Sequence, residues 1–446
     1  CAPLKGAPGV RIPLSPPEHE TAAIGSCPPF FVPGPRGADL RVKRLLSTIS
    51  SEVFPFDRIE EFAGNGESLE VEMDGLATAR TRSGRRIWER FAEFLPVAID
   101  GEISLGEVDT PLLPAGKSLC DYAGIGRLLL KNETLSPTWS FKDRGSLTSI
   151  AMARQMGESV TATISTGNMG NSIAAYAARA GIRAVVFVPR YAPLEKIRAM
   201  AIHGATVVRV TAPDYSVMKR EVLGLAAGLG LRVVSGNGPI RAEGYKLAAF
   251  EMYEQLEGKV PDFIAVPTSA CGHIRGIFKG YRELLAAGLT DRLPRMVVVQ
   301  AANVNPVVSA IREGRDRIVP VTWKETVAEA ITSVDPPGGD EIVRKARQFG
   351  WLAEDVTEGE ILEAQRRLGL EGYFVEPSAA TSLAAVSKLR AAGKIGGDDL
   401  VILMLTGSGL KDMGVFARRR VEIIESDLRN IRGEMEKILA TSHRKR

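Results

Sequence analysis

Ser140-Phe141-Lys142-Asp143-Arg144-Gly145, followed by Ser165-Thr166-Gly167-Asn168, is the stretch on which the reading of this chain turns. Lys142 stands behind an aromatic residue at the start of a helical pattern. A lysine so placed is partly desolvated and has cationic neighbours, and both effects lower the ammonium pKa and free an amine that can condense with an aldehyde. One lysine carries little weight, since Phe-Lys-Asp-Arg is also an ordinary amphipathic helix start and most lysines are solvated. The second motif shifts the balance. It ends the apolar β-like run Val160 to Ile164 and precedes the helical pattern Ser172 to Ala178, at the carboxyl end of a strand, where α/β folds place ligands.

Outward from these motifs, β-like runs rich in valine and isoleucine alternate with helical stretches after Ser104, the signature of parallel sheets covered by helices. The strand candidates are Val160–Ile164, Ala184–Val188, Thr206–Val210, Arg232–Val234, Phe263–Val266, Met296–Val299 and Leu400–Leu405. Most are apolar throughout, as strands buried on both faces must be. The first four form a compact αβαβ block, and the rest, with Gly124 to Phe141 in front, make a larger sheet. The expectation is an α/β protein of two lobes with a cleft between them: residues 101–144 and 236–414 form the large lobe and 145–235 a small mobile one.

Residues 1–100 read as an extension and lead-in. The first 40 or so are rich in proline and glycine without a period, and Ile87 to Phe94 is a short helical stretch before the catalytic body. Residues 415–446 read as a charged helix on which Val421, Ile424, Leu428, Ile431, Met435 and Ile438 form an apolar stripe. With fewer heptads than a coiled coil requires, the stripe is expected to dock on its own subunit.

The 446 residues suffice for two or three packed units, and a net charge of +4 offers neither a nucleic-acid groove nor a membrane patch. No run approaches the length of a membrane span, and Cys1 to Ser15 lacks signal-peptide character, so a cytoplasmic protein is expected. Cys1, Cys27, Cys120 and Cys271 lie too far apart for paired zinc ligands or a disulfide framework; reduced thiols and no structural metal are expected.

A pyridoxal phosphate site needs a lysine for the aldehyde, a ring platform, a partner for the ring nitrogen and a backbone cradle for the phosphate. Lys142 supplies the first. Asn168 can bond the phenolic oxygen, and Ser165, Thr166 and Gly167 form a turn whose amides suit a substrate carboxylate. Ser269-Ala270-Cys271-Gly272-His273 follows the strand Phe263–Val266 and opens a helix, where small side chains let the amides converge on a phosphate. His273 is read as cofactor-proximal. In Leu405-Thr406-Gly407-Ser408-Gly409-Leu410-Lys411-Asp412, Thr406 or Ser408 can meet the pyridine nitrogen, and a hydroxyl there leaves that nitrogen largely unprotonated.

From about Val53 to Gly414 the chain resembles the threonine synthase branch of the fold-type II pyridoxal phosphate enzymes, the superfamily of the tryptophan synthase β subunit. The resemblance rests on Ser104-Leu105-Gly106-Glu107 with Thr110-Pro111-Leu112, the Lys142 and Asn168 motifs, Arg241-Ala242-Glu243-Gly244, Phe374-Val375-Glu376-Pro377-Ser378-Ala379 and the Thr406 motif. It implies that Lys142 holds the cofactor, Asn168 bonds its phenolic oxygen, Thr406 faces the ring nitrogen, residues 269–273 hold the phosphate and Arg241 helps bind a substrate phosphate. It also implies a cytoplasmic homodimer acting on an amino acid, with O-phosphohomoserine converted to L-threonine and phosphate. The alternatives are a threonine or serine dehydratase or a cysteate synthase-like β-elimination or β-replacement enzyme, and, outside enzymes, a catalytically silent regulatory protein. The chain departs from the branch at Met169, at the 269–273 turn, at Ser235 to Gly238, and in lacking an N-terminal zinc ribbon.

Overall fold

The computed structural model describes residues 42–56, 59–165, 167–212, 215–417 and 423–442. The proline- and glycine-rich residues 1–40, Thr166 and Val421 lie outside the described residues.

A small antiparallel sheet comes first in the chain, with β1 (Val42–Ser47) between β2 (Val53–Phe54) and β3 (Leu69–Met73). A six-stranded sheet is built from β4 (Leu112–Pro114), β5 (Arg127–Asn132), β10 (Phe263–Pro267), β11 (Arg295–Ala301), β12 (Leu352–Val356) and β13 (Leu400–Leu405), in the order β12-β11-β10-β13-β5-β4. All its pairs are parallel except β4 with β5. A four-stranded parallel sheet, in the order β8-β7-β6-β9, holds β6 (Val160–Ile164), β7 (Arg183–Pro189), β8 (Thr206–Val210) and β9 (Val233–Val234). All seven strand candidates from the sequence fall in these two sheets, each in parallel pairing. The central strands β10 and β13 are buried along their whole length, which is why they read as unbroken apolar runs.

One face of the large sheet packs on the helix Pro377–Ala391, where Ala379, Ala380, Leu383 and Val386 meet Val401, Leu403 and Leu405. The other packs on the helices Leu247–Gln255 and Gly272–Ala286 through Phe250, Ile274, Ile277 and Phe278. The helix Lys142–Gln155 crosses Pro239–Tyr245, and Thr148 Oγ1 donates to the Ile240 carbonyl at 2.9 Å. That crossing brings Arg241 beneath Lys142.

Arg144, one turn-edge further along the same helix, anchors it. Its guanidinium donates to Glu133 at 2.8 and 2.9 Å and to Glu251 at 2.7 Å through two nitrogens, while Lys131 Nζ reaches Glu251 at 2.6 Å. All four are buried. Burial alone pushes Glu251 up, but Arg144 and Lys131 outweigh it and hold the carboxyl low.

Two expectations from the sequence are corrected. The helical stretch at residues 87–94 is a single turn, Ile87–Arg90, then a 3-10 turn, Ala92–Phe94. At the C-terminal end the last helix is Ile431–Ser442 rather than one continuous helix through the stripe, because Asp427 accepts the amides of Arg429 and Asn430 at 2.9 and 3.0 Å and so starts the helix there. Its stripe is not docked on the body: Ile431, Met435 and Ile438 are 41%, 55% and 49% exposed.

Candidate active site

Lys142 opens its helix, directly after β5 and its following turn. Ser140 to Phe141 is pinned to the end of β13, since the Phe141 amide donates to the Thr406 carbonyl at 3.0 Å and Ser140 bridges Gly407. The Lys142 ammonium lies 4.3 Å from the centre of the Phe141 ring, and that ring stacks on His273 with centroids 3.8 Å apart. Burial, then the nearby Arg241 charge, pulls the amine down to about 7, against a smaller opposing pull from Glu376. Such a lysine has a substantial free-amine fraction at neutral pH, which an ordinary lysine lacks.

Arg241 is 1% exposed and has no carboxylate partner among the described residues. Its Nε and Nη2 both donate to the Tyr245 hydroxyl, at 3.0 and 2.7 Å, while Nη2 also donates to the Lys142 carbonyl at 3.2 Å and Nη1 to Ser146 Oγ at 3.3 Å. Tyr245 is held close to the Lys142 helix: a Cβ on Gly145 would stand 2.8 Å from its ring. A buried guanidinium satisfied by neutral oxygens alone keeps its charge uncompensated, the condition for drawing in an anion.

The Ser269 to His273 turn leads from β10 into the helix Gly272–Ala286. Cys271 takes a left-handed φ of 73°, and a Cβ on Gly272 would lie 2.2 Å from the Gly236 carbonyl, so the turn depends on the glycine. His273 is 5% exposed with both ring nitrogens lacking a partner. Burial, then the charges of Lys142 and Arg144, drives its pKa well below the usual range, so the ring is neutral. Ser269 and Ala270 at the turn are partly exposed.

From the other sheet, Ser165 directly follows β6, and its Oγ accepts the amides of Gly167 and Gly170 at 3.3 and 2.9 Å. Asn168 starts the helix Asn168–Ala180 and donates from Nδ2 to Glu376 at 2.9 Å. A Cβ on Gly236 would meet Ala270 at 3.5 Å and the Met169 sulfur at 3.6 Å, so the three residues form one apolar wall. Thr406, at the end of β13, is buried. Lys142, Asn168, Arg241, the 269–273 turn and Thr406 therefore converge from both sheets.

The fit to pyridoxal phosphate is chemical. A depressed lysine amine, a stacked aromatic platform and an orphaned neutral histidine at a turn that only a glycine permits suit an anionic aldehyde cofactor. Sequence reasoning gave no role to Glu376, Tyr245 or Lys411. Glu376 was visible inside a motif; Tyr245, beside the Arg241 motif, carries no local signal that it would hold the guanidinium. Lys411 reaches Asn171 Oδ1 at 2.7 Å once that amide is set by its own donation to the Ala199 carbonyl.

The chain belongs to the family of pyridoxal-phosphate dependent enzymes, which residues 103–407 match. Within that class its relatives are threonine synthases: it is 37% identical to the threonine synthase of Methanosarcina acetivorans over 77% of this chain and 84% of that one. It is also 37% identical to the threonine synthase of Methanocaldococcus jannaschii over 76% and 84% of the two chains. Among solved structures, the processed threonine deaminase isoform 2 of Solanum lycopersicum aligns with a TM-score of 0.61 at 18% identity, covering 76% of this chain and 96% of that one. That likeness establishes the fold-type II architecture. The family's cofactor is pyridoxal phosphate.

Proposed function

We propose that this chain is a threonine synthase-like lyase acting on an L-amino acid with a β or γ leaving group, and that its reaction converts O-phosphohomoserine and water to L-threonine and phosphate. Arg241 carries the reading: a cation buried beside the reactive lysine, with no ion-pair partner among the described residues, suits a phosphate dianion. The bound cofactor supplies the electron sink. Lys142 holds it and, with an amine near neutrality, accepts and returns the substrate proton. The amides of Ser269, Ala270, Cys271, Gly272 and His273 hold its phosphate, Asn168 its phenolic oxygen and Thr406 its ring nitrogen. Ser165, Thr166 and Gly167 take the substrate carboxylate.

The apolar wall of Met169, Ala270 and Gly236 favours a second reading, β-elimination or β-replacement on a serine, threonine or phosphoserine skeleton, because it lacks donors for a phosphate oxygen. Assaying O-phosphohomoserine, O-phosphoserine, serine and threonine separates them. Phosphate release with threonine formation supports the first reading, and a 2-oxo acid or substituted alanine supports the second. The same proposal takes the enzyme as a cytoplasmic homodimer, for which light scattering should give twice the chain mass. Among the described residues no helix is long and apolar enough to cross a membrane, and no cluster of His, Cys, Asp or Glu can hold a metal ion.

A further inference from the structure

Glu376 is a buried carboxyl, 4% exposed, to which none of the roles above applies. We propose that Glu376 is a positioning residue for Asn168, and that their hydrogen bond, made between the two parallel sheets, sets which way the Asn168 amide faces the cofactor's phenolic oxygen. This rests on the pyridoxal phosphate reading of the site.

Glu376 precedes Pro377 at the start of the helix Pro377–Ala391, where a carboxylate ordinarily turns back to cap the helix amides. It makes no such bond. The side chain instead crosses to Asn168, which belongs to the helix after β6 in the other sheet. The backbone makes room: the Glu376 amide donates to the Gly407 carbonyl at 3.0 Å, and a Cβ on Gly407 would stand 2.6 Å from Glu376 Oε1. The motif that brings Thr406 to the site thus admits the carboxyl only because its next residue is glycine.

The charged groups facing Glu376 come from three segments. They are Lys142 on its helix, Lys196 on the helix Leu194–Ala201, and Lys411 and Asp412 after β13. None of the three lysines forms an ion pair with it: Lys196 pairs with Glu329 at 2.5 Å, and Lys411 reaches Asn171. Burial raises the Glu376 pKa against the lowering effects of Asn168, Lys411 and Lys196, with Asp412 adding to the rise.

Amide chemistry then gives the bond a consequence. An ionised carboxylate only accepts, so Asn168 must turn Nδ2 toward it, leaving the second Nδ2 hydrogen for another acceptor such as a phenolate. A protonated Glu376 can donate to Asn168 Oδ1 instead and turn the amide around. Ionisation of Glu376 therefore holds Asn168 to one amide orientation toward the cofactor, and protonation releases it. No proton is consumed in the reaction by this group.

The test uses the holoenzyme and reads the cofactor's two absorption bands, which report phenol and phenolate forms, across pH. In Glu376→Gln, which keeps the shape and cannot ionise, the expected result is loss of one pH-dependent step in the band ratio, with cofactor affinity and melting temperature near wild type. Asn168→Ala should shift the ratio too, and Glu376→Gln in the Asn168→Ala background should add nothing. Glu376→Ala should lower kcat by up to about a hundred-fold, the effect of a displaced reacting group, with Glu376→Gln recovering part of it. If Glu376→Gln keeps the wild-type band profile, or its effect adds in full to that of Asn168→Ala, the proposal is overturned. Should Glu376→Ala fail to fold, the glutamine variant and the double variant decide alone. A wild-type protein that binds no pyridoxal phosphate would sink the underlying reading instead.

Discussion

Arg144 and Arg241 are both buried guanidiniums packed at the Lys142 helix, and they differ in what surrounds them. Arg144 is gripped by the carboxylates of Glu133 and Glu251, with Lys131 and Thr110 closing the network. Arg241 has a phenol, a hydroxyl and a carbonyl. A charge neutralised inside the protein contributes to holding the helix, whereas one satisfied by neutral dipoles retains a field that a ligand can answer. The same residue type thus serves structure at one position and recognition at the other.

The sharpest way to break this contrast is Arg144→Ala. Leaving Glu133 buried without a cation, and Glu251 with Lys131 alone, should destabilise the protein by about 3–5 kcal/mol, measured by urea unfolding. Arg241→Ala strands no carboxylate and should change stability far less. If the two variants lose equal stability, the distinction between them fails.

Arg241→Ala should act on binding instead. Removing one side of a buried charge-assisted contact costs about 2–5 kcal/mol, roughly a thirty- to several-thousand-fold loss. Turnover of a phosphorylated substrate should nearly vanish while the spectrum of the lysine-bound cofactor stays unchanged. Retained activity on the best substrate would favour the dehydratase-like reading.

The influence of Arg241 on Lys142 gives a pH signature. Because the amine is lowered to about 7 by burial and then by Arg241, the rate at which cofactor-free protein takes up pyridoxal phosphate should rise about tenfold per pH unit below that value, as ammonium becomes amine, and level off above it. With an ordinary lysine the rate would keep rising toward pH 10.5. Stopped-flow absorbance across pH distinguishes the two courses, and a rise continuing beyond pH 9 would count against a depressed amine.

The smallest effect is expected at Tyr245. Tyr245→Phe removes the oxygen that accepts two Arg241 donors but keeps the ring against Gly145. The guanidinium loses its brace at a cost of about 1 kcal/mol, which corresponds to a roughly five-fold higher KM for the phosphorylated substrate. KM for serine or threonine should not move. An equal rise for all substrates would show that Tyr245 supports the fold rather than the anion site.

Much of the fold was legible because buried parallel strands are written as apolar runs: Leu400–Leu405 is buried throughout and found with the expected bounds, as are Val160–Ile164 and, by its β-branched residues although it is a half-exposed edge strand, Thr206–Val210. Strands without that signal escaped. β12, Leu-Ala-Glu-Asp-Val, is an edge strand carrying two acids, and β3, Leu-Glu-Val-Glu-Met, alternates buried with half-buried positions in a lead-in that looked irregular. The apolar stripe at the C-terminal end misled because periodicity reports which side chains share a helical face, not whether anything covers them.

The sequence by itself determined the class of chemistry and the α/β architecture, since a lysine behind an aromatic ring, small residues ahead of helices and apolar runs are local properties. Only the tertiary structure decided which charges meet. Whether Arg144 is paired and Arg241 is not depends on carboxylates at Glu133 and Glu251 arriving from other elements. That Glu376 spans to Asn168 depends on an approach between residues 208 positions apart in the chain. Interactions of this range fall off within a few ångströms of contact, so residue type and spacing carry no trace of them until the chain has folded.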